Sequence, residues 1–301
     1  MAMRPARILI LRGGALGDFL VTLPALAALR SRWPDGHLEL IGYPHLAPLT
    51  DGLVTKTRSI NDGALARYFA PDALIRDEDQ AYFASFDVII NYLHDPEAIL
   101  ANNLKRCGVE VLISASPLVT ERHATEHLLA PLESLAIYEA SHLPDLRHLG
   151  LAWKPTDNVA IHPGSGSRRK NWPIERFVEL ARDIQSTHGL KPVFFTGDAE
   201  REYIPELERH LEGFERRHNL PLVELAESLA SARLYIGNDS GVTHLAAATG
   251  CPTLALFGPS DPALWSPRGI NVEILSAGKD MIALTTSTVL AQASQHLNAA
   301  P

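Results

Sequence analysis

The segment from residue 236 to residue 248 combines a strand-like end, a small polar turn and an alanine-rich helical pattern. The turn contains Asp239 and Ser240, and the helix is expected to begin at Gly241. Backbone N–H groups at a helix N-terminus lack partners inside the helix and attract anions. We therefore expect this turn to bind a negatively charged group, with His244 as a further donor one turn along. The alternative is that Asp239 or Ser240 only caps the helix and His244 lies on the surface.

A second candidate lies between residues 162 and 173, where glycines and serines precede three consecutive cations. Small residues let a backbone approach a ligand closely, and Arg168, Arg169 and Lys170 supply the positive charge that a diphosphate needs. The spacing is not that of a P-loop, which disfavours an ATPase. The alternative interpretation of the three cations is a solvated basic patch.

Asp18 follows the glycine-rich turn that contains Gly13, Gly14 and Gly17. A carboxylate held at the start of a helix can accept a proton from a substrate hydroxyl, which makes Asp18 a candidate general base. An N-terminal cap is an equally good interpretation of the same residue. The turn also raises the alternative of an NAD-dependent oxidoreductase, but Arg12 stands where the first glycine of the dinucleotide fingerprint belongs.

Two further patterns are typical of metal sites. Residues 123–127 match the H-x-x-E-H pattern of zinc peptidases, and residues 77–79 match the D-x-D pattern of metal-dependent sugar transferases. Neither pattern is accompanied by further ligands, so chance and a solvated acidic loop are the better explanations. Cys107 and Cys251 lie far apart and fit neither a disulfide framework nor a zinc knuckle. The sequence therefore predicts no metal site and no cofactor.

Alternating apolar runs and amphipathic stretches position these candidates in an α/β fold. The first forty residues predict a βαβ unit with a strand at Ile8–Leu11, a helix at Phe19–Arg32 and a strand at Leu38–Ile41. Residues 60–86 lack a sustained period and are not assigned. The other predicted strands are Val88–Ile90, Val111–Ile113, Val159–His162, Val193–Thr196, Leu234–Ile236 and Thr253–Phe257. The other predicted helices are His123–Leu135, Pro173–His188, Ala199–Leu211, Ala226–Ala232, Gly241–Thr249 and Ser287–Leu297.

The length of 301 residues and the restart of the alternation near residue 159 favour two domains. We expect two Rossmann-like domains with parallel sheets facing a cleft, because ligands in open α/β sheets bind beyond the carboxyl ends of the strands. The stretch Asp145–Asp157 is the predicted linker, and the domains are residues 1–152 and 153–301. The terminal helix either completes the second domain or packs back on the first.

Composition and charge exclude several classes of protein. The net charge is −8 and both halves are acidic, so a nucleic-acid-binding protein is disfavoured. No apolar run reaches the length of a membrane helix, and the N-terminus runs into a strand instead of a signal sequence. We therefore expect a cytoplasmic protein. The aromatic residues at 68–69 and 82–86 either pack in the core or contact an acceptor or a membrane surface.

Three ordered segments together resemble glycosyltransferase family 9, the lipopolysaccharide heptosyltransferases. The first is Ile8–Asp18, with Thr22–Leu26 and Trp33-Pro34; the second is His162-Pro163-Gly164 with Lys170–Pro173; the third is Asp239–Ala248 with Pro252 and Phe257–Asp261. The resemblance implies a GT-B architecture in which residues 1–152 bind the acceptor and residues 153–301 bind a nucleotide-sugar donor. It also implies that Asp18 is the base and that Gly13, Gly14 and Gly17 form the acceptor-side loop.

In such a family the donor diphosphate is held by a lysine that matches Lys170 and by the turn at Asp239. The donor-binding residues expected here are Ser165, Arg169, Lys170, Glu200, Asp239, Ser240, Gly241 and His244. Glu200 is the acidic residue nearest to the family's ribose-binding position, although its spacing is one residue short. Because Arg168 and Arg169 adjoin Lys170, the sequence leaves open which cation contacts the diphosphate.

The resemblance therefore implies an inverting, metal-independent glycosyltransferase, with Asp18 and Lys170 as its catalytic residues. The resemblance implies transfer of heptose from ADP-heptose to a lipopolysaccharide-core or other glycan acceptor, lipid-linked acceptors included. It also implies a place in the cytoplasm, with peripheral contact at the inner face of the bacterial inner membrane. The alternatives are an NAD-dependent oxidoreductase and a non-catalytic nucleotide-sugar-binding protein.

Overall fold

The computed structural model describes residues 4–276 and 278–298. The chain folds as two compact units, of which the first ends at His142 and the second begins at Leu143. This division falls before the predicted one at 152/153. The predicted linker, residues 145–157, is bound to the second unit, because the Trp153 indole donates to the Ala232 carbonyl and the Leu146 amide donates to the Ala248 carbonyl.

The first unit is built on a five-stranded parallel sheet in the order β3-β2-β1-β4-β5. Its strands are β1 (Arg7–Leu11), β2 (His37–Gly42), β3 (Lys56–Ser59), β4 (Val88–Asn91) and β5 (Leu112–Ser114). Its α-helices are α1 (Leu16–Leu20), α2 (Leu23–Arg32), α3 (Gly63–Ala66), α4 (Asp77–Phe83), α5 (Ile99–Arg106) and α6 (Ala124–Leu129). Short 3-10 segments cover Pro44–Thr50, Arg67–Phe69 and Ala130–Leu135.

The second unit is built on a six-stranded parallel sheet in the order β11-β10-β9-β6-β7-β8. Its strands are β6 (Asn158–His162), β7 (Lys191–Thr196), β8 (Glu215–His218), β9 (Leu234–Asn238), β10 (Thr253–Phe257) and β11 (Val272–Ser276). Its α-helices are α7 (Ile174–His188), α8 (Ile204–His210), α9 (Leu222–Ala230), α10 (Gly241–Ala248), α11 (Pro262–Trp265) and α12 (Thr286–Asn298). Short 3-10 segments cover Arg147–Leu149, Arg168–Lys170, Asp198–Tyr203 and Met281–Ala283.

Both sheets have the strand order of a Rossmann fold. In each, the first and fourth strands of the unit are neighbours, so the direction of winding reverses between β1 and β4 and between β6 and β9. Ligands of such folds bind beyond the carboxyl ends of the strands at this switch point. The prediction of two parallel-sheet, Rossmann-like domains is confirmed.

Prolines divide three helices that the sequence analysis predicts as continuous. The predicted helix at 19–32 is two helices, α1 and α2, because Pro24 cannot donate to the preceding turn. The predicted helix at 123–135 passes into a 3-10 segment at Pro131. The predicted helix at 199–211 begins as a 3-10 segment, and its α-helical part starts beside Pro205.

Three strands were not predicted, and each lies at the edge of its sheet. β3 and β8 have the sequences Lys-Thr-Arg-Ser and Glu-Arg-Arg-His, with largely exposed side chains. Edge strands need no apolar pattern because water covers one side of them, and charged residues there discourage pairing with another chain. β11, the third, is half-buried over most of its length.

The core of each unit lies between its sheet and its helices. In the second unit, Trp172, Phe177 and Leu180 pack with the apolar residues of β6, β9 and β10. Helix α12 packs in the same core through Val289, Ala293 and Leu297, so the terminal helix completes its own unit. In the first unit, Tyr68, Phe83 and Phe86 are buried, so core packing accounts for most of the aromatic cluster; Phe69 is 42% exposed.

No helix among residues 4–276 and 278–298 combines the length and the apolar composition that a membrane crossing requires.

Replacement of Leu180 by alanine tests the core of the second unit. Leu180 is fully buried, so we expect the free energy of unfolding to fall by about 2–5 kcal/mol. Denaturant unfolding followed by tryptophan fluorescence measures this loss, since Trp172 lies in the same core. Ile270, which is 78% exposed, is the matched control, and Ile270→Ala should change the stability by no more than about 0.5 kcal/mol. Equal effects of the two substitutions would contradict this description of the core.

Candidate functional site

The switch point of the second unit brings two distant segments together. Strands β6 and β9 are parallel neighbours, with His162 in register with Gly237. Their carboxyl ends therefore lie side by side, and the loop after each strand begins at the same edge of the sheet. The loop after β6, residues 163–173, carries the three cations and is called the cation loop below. The loop after β9, residues 239–240, leads into α10.

Lys170 and Asp239 form an ion pair across these two loops. Lys170 Nζ lies 2.7 Å from Asp239 Oδ2, and the Asp239 side chain is almost completely buried. Arg168 and Arg169 are exposed, whereas Lys170 is half-buried. An ammonium group has three N–H donors, so the ion pair orients Lys170 and leaves it capable of further hydrogen bonds.

Asn238 fastens the cation loop to the end of β9. Its Nδ2 donates to the carbonyl of Pro163 at 2.8 Å, and its Oδ1 accepts the backbone N–H of Trp172 at 3.0 Å. Asn238 is fully buried, and the Trp172 indole donates to the Leu284 carbonyl at 2.9 Å. Both ends of the loop are thus held by one amide side chain, a role that the sequence analysis did not assign.

The turn after β9 opens α10 as predicted. Ser240 is the N-cap residue, and its Oγ lies 3.4 Å from the backbone N–H of Thr243. Ser240 and Gly241 are half-buried, whereas His244 is buried, with 4% of it exposed. The capping interpretation of Ser240 is therefore correct, whereas the interpretation of His244 as a surface residue is wrong because its side chain is buried. The first-turn N–H groups of this eight-residue helix lie beside the Lys170–Asp239 pair.

The hydroxyl of Ser165 binds within its own loop. Its Oγ lies 2.8 Å from the Ser167 carbonyl and 2.6 Å from Asn171 Oδ1, and Ser165 is 4% exposed. Ser165 therefore holds the shape of the cation loop.

Glu200 lies beneath the same loop and is fully buried. Its Oε2 accepts the backbone N–H of Gly197 at 2.6 Å, and its Oε1 lies 3.6 Å from His162 Nε2. Burial opposes the ionisation of Glu200, but His162 and the Gly197 N–H outweigh it and lower the pKa of the carboxyl group. The carboxylate is thus ionised and enclosed by protein.

The candidate base Asp18 lies in the first unit at the carboxyl end of β1, beside the β1/β4 switch point. Its Oδ2 accepts the backbone N–H of Ala15 at 3.0 Å, and its side chain is half-buried. Gly14 has a φ of +100°, and a β-carbon there would lie 2.7 Å from the Asp18 β-carbon. Only glycine therefore allows this turn to bring Asp18 into place.

Arg12 holds the first turn of α1 from inside. Its Nη2 donates to the carbonyl of Asp18 at 2.5 Å, and its Nε donates to Thr22 Oγ1 at 2.9 Å. Burial lowers the pKa of Arg12, whereas the nearby Asp18 opposes that change. A buried arginine at this position leaves no room for the close approach of a pyrophosphate that the fingerprint glycine permits.

A cavity of about 430 Å³ also opens in the first unit, beside the carboxyl ends of β2 and β3. Its charged lining residues are Arg58, Arg67, Arg76, Asp62, Glu78 and Asp79. Three cations and three anions make this lining electrically balanced. Arg76 binds Asp79 through two hydrogen bonds of 2.7 and 2.9 Å, and the Arg58 guanidinium lies over the Tyr82 ring.

The two metal-like patterns have structural roles. His123 Nδ1 accepts the backbone N–H of Thr125 at the start of α6, and Asp79 is paired with Arg76 and Arg67. Within residues 4–276 and 278–298, no group of three or more histidine, cysteine or acidic side chains is arranged to hold a metal ion. Cys107 and Cys251 are buried free thiols.

The structure thus gathers the predicted residues into one group in each unit. In the second unit, Lys170, Asp239, Ser240, Gly241 and His244 lie around the switch point. Ser165 and Glu200 lie beneath that surface, and Arg169 lies on the exposed part of the loop. His162 and Asn238 were not assigned roles in the sequence analysis. Their positions as the last residues of two neighbouring parallel strands were the available signal.

Substitution of Asn238 by alanine tests whether its side chain holds the two ends of the cation loop. It leaves the Pro163 carbonyl and the Trp172 N–H without their partner, at a cost of about 1–3 kcal/mol for each buried group. We expect faster hydrogen exchange at the Trp172 amide, measured by mass spectrometry or NMR. Asn271→Ala, at an exposed site in the same unit, should leave that rate unchanged. Equal exchange rates of the Trp172 amide in the wild type and in Asn238→Ala would show that Asn238 does not hold the loop.

Comparison with known proteins identifies the family. The model of glycosyltransferase family 9 (heptosyltransferase) matches residues 119–290. Lipopolysaccharide heptosyltransferase 1 of Escherichia coli O18:K1:H7 is 26% identical, with 94% of this chain and 95% of that protein covered. A family 9 glycosyltransferase from Veillonella parvula has a similar fold, with a TM-score of 0.78, 22% identity and coverage of 99% of this chain and 98% of that one.

The solved structure of the E. coli heptosyltransferase WaaC with ADP is also similar. Its TM-score is 0.73 and its identity is 20%, with 96% of this chain and 99% of that chain covered. These neighbours have the GT-B fold, to which the two parallel-sheet units correspond. The chain therefore belongs to glycosyltransferase family 9, the heptosyltransferases.

Proposed function

We propose that this glycosyltransferase transfers heptose from ADP-heptose to a hydroxyl group of a glycan acceptor, with inversion at the anomeric carbon and without an essential metal ion. The relatives named as lipopolysaccharide heptosyltransferases support the sugar and the acceptor class. Structural neighbours with ADP and with ADP-2-deoxy-2-fluoro heptose support the nucleotide.

The observation that carries the proposal is the Lys170–Asp239 pair beside the N-terminus of α10, at the β6/β9 switch point. Negative charge develops on the diphosphate as its bond to the sugar breaks. Lys170, the N–H group of the N-cap residue Ser240 and that of Gly241 in the first turn supply fixed positive charge for that leaving group. His244 and the exposed Arg169 are assigned to the same donor site.

Asp18 is the proposed base on the acceptor side. Its carboxylate takes the proton of the acceptor hydroxyl while the hydroxyl oxygen forms a bond to the anomeric carbon. The bond from that carbon to the diphosphate oxygen breaks at the same time, and ADP leaves with the electron pair. Gly13, Gly14 and Gly17 shape the turn that holds Asp18 for this step.

The acceptor is assigned to the first unit, where the cavity of about 430 Å³ opens beside β2 and β3. Its balanced set of guanidinium and carboxylate groups suits the hydroxyl groups of a glycan, which both donate and accept hydrogen bonds. Peripheral contact with the inner face of a bacterial membrane, where lipid-linked acceptors lie, belongs to the same proposal.

The donor assignment predicts selective stabilisation by ADP. A ligand at about 100 times its dissociation constant adds about 2.7 kcal/mol, which raises the melting temperature by several degrees. We expect this shift with ADP in the wild type and its loss in Lys170→Ala. Lys191→Ala, at an exposed position of the same unit, should retain the shift.

A thermal-shift series with ADP, UDP, GDP and NAD decides the nucleotide. Stabilisation by UDP or GDP alone would overturn the ADP assignment and keep the glycosyltransferase. A response to NAD alone would disagree with the entire donor proposal.

The base assignment predicts that Asp18→Asn loses transfer and retains donor binding. The asparagine oxygen can still accept the Ala15 N–H, so the turn should persist. We expect the transfer rate to fall by at least about 100-fold with unchanged ADP affinity. Product formation by mass spectrometry and ADP titration measure the two quantities, and the exposed Asp35→Asn is the control.

An unchanged rate in Asp18→Asn would remove Asp18 from the mechanism. A wild type that binds ADP and transfers no sugar to any tested acceptor would favour the alternative of a non-catalytic nucleotide-sugar-binding protein.

A further inference from the structure

His162 lies between two polar side chains beneath the proposed donor site. Its Nδ1 is 3.3 Å from Ser240 Oγ, and its Nε2 is 3.6 Å from Glu200 Oε1. His162 is 4% exposed and Glu200 is fully buried. The imidazole therefore connects the carboxylate after β7 with the cap of α10.

The Glu200 carboxylate is confined on the side of the cation loop. A β-carbon on Gly164 would lie only 1.7 Å from Glu200 Oε1, so the carboxylate occupies the space of that missing side chain. Within the described part of the chain, Oε1 has no hydrogen-bond partner. An ionised buried oxygen in this state requires a nearby cation or donor, and His162 is the neighbouring group that can supply one.

On the other side of His162, a hydrogen-bonded series continues into α10. Ser240 Oγ lies 3.0 Å from Thr243 Oγ1, which lies 2.9 Å from the Tyr235 hydroxyl. The absence of a side chain at Gly237 makes room for that hydroxyl, since a β-carbon there would lie 2.3 Å from it. The first turn of α10 is thus tied to β9 and, through His162, to Glu200.

We infer that Glu200 is a positioning residue that acts through His162 on Ser240 and fixes the first turn of α10 for the donor diphosphate. This inference rests on the proposed function. It assigns Glu200 to the diphosphate end of the donor, because the carboxylate faces His162 and Gly164 inside the fold. The alternative is the ribose contact that the family resemblance implies for Glu200.

The two roles differ in which part of the donor they affect. A ribose contact contributes to the binding of ADP and contributes nothing to the binding of inorganic pyrophosphate, which has no ribose. A residue that positions the diphosphate site contributes to both. Calorimetric titration of ADP and of inorganic pyrophosphate into the full chain therefore separates the roles.

The variants are Glu200→Gln, His162→Asn and the double substitution. Glutamine keeps an oxygen for the Gly197 N–H and removes the charge that faces His162. Asparagine places its amide near the position of Nδ1 and has no group at the position of Nε2, so it severs the link to Glu200 alone. Glu206→Gln, at an exposed site on α8, is the matched control.

We expect each single variant to lower the affinity for ADP and the affinity for pyrophosphate by a similar factor of about ten, as for coupled groups in one network. The double variant should bind both ligands as tightly as the single variant with the lower affinity, and the control should have the affinities of the wild type. The donor KM should rise with little change in kcat. A merely structural role would lower the melting temperature and leave the affinities of the folded protein unchanged, which would overturn the inference.

Weaker binding of ADP alone in Glu200→Gln, with His162→Asn unaffected, would also overturn the inference and assign Glu200 to the ribose. Should Glu200→Gln not fold, His162→Asn makes the same test without altering the carboxylate. Failure of the wild type to bind either ligand would overturn the proposed function, and the inference with it.

Discussion

The parallel pairing of β6 with β9 is the constraint on which the candidate site of the second unit depends. It sets His162 in register with Gly237, and so the ends of two segments about seventy residues apart in the chain meet at one edge. The ion pair of Lys170 with Asp239 and the two hydrogen bonds of Asn238 then become short-range contacts. The same strand order in the first unit brings the turn before Asp18 to a switch point of its own.

The sequence was sufficient for the parts of the fold that carry strong local patterns. Buried central strands are continuous apolar runs, and the turn that precedes Gly241 has the composition of a helix start, so these were predicted nearly to their observed ends. The charged edge strands β3 and β8 have no such pattern, because only their neighbours in the sheet make them strands. Pro24 and Pro205 were recognisable signals of a helix boundary. The sequence analysis nevertheless predicted continuous helices, because it gave more weight to the helical periodicity than to the prolines.

The same distinction between local and distant signals applies to the residues of the candidate site. Asp18, Lys170 and Ser240 became candidates because charge and small residues at loop positions have a direct chemical interpretation. Asn238 and His162 were not assigned, because a buried amide or imidazole gains its role from partners that are distant in the chain. The enclosure of Glu200 depends on the fold of the loop above it, and neither its spacing nor its charge indicates that enclosure.

The close fit of Gly164 against Glu200 also constrains how this family member can change over generations. A larger residue at position 164 would clash with the glutamate as long as Glu200 is present, whereas a smaller residue at position 200 causes no clash with Gly164. The two positions should therefore vary in a fixed order among descendants, with position 200 changing first. Redesign of the loop that contains Gly164 faces the same order of substitutions.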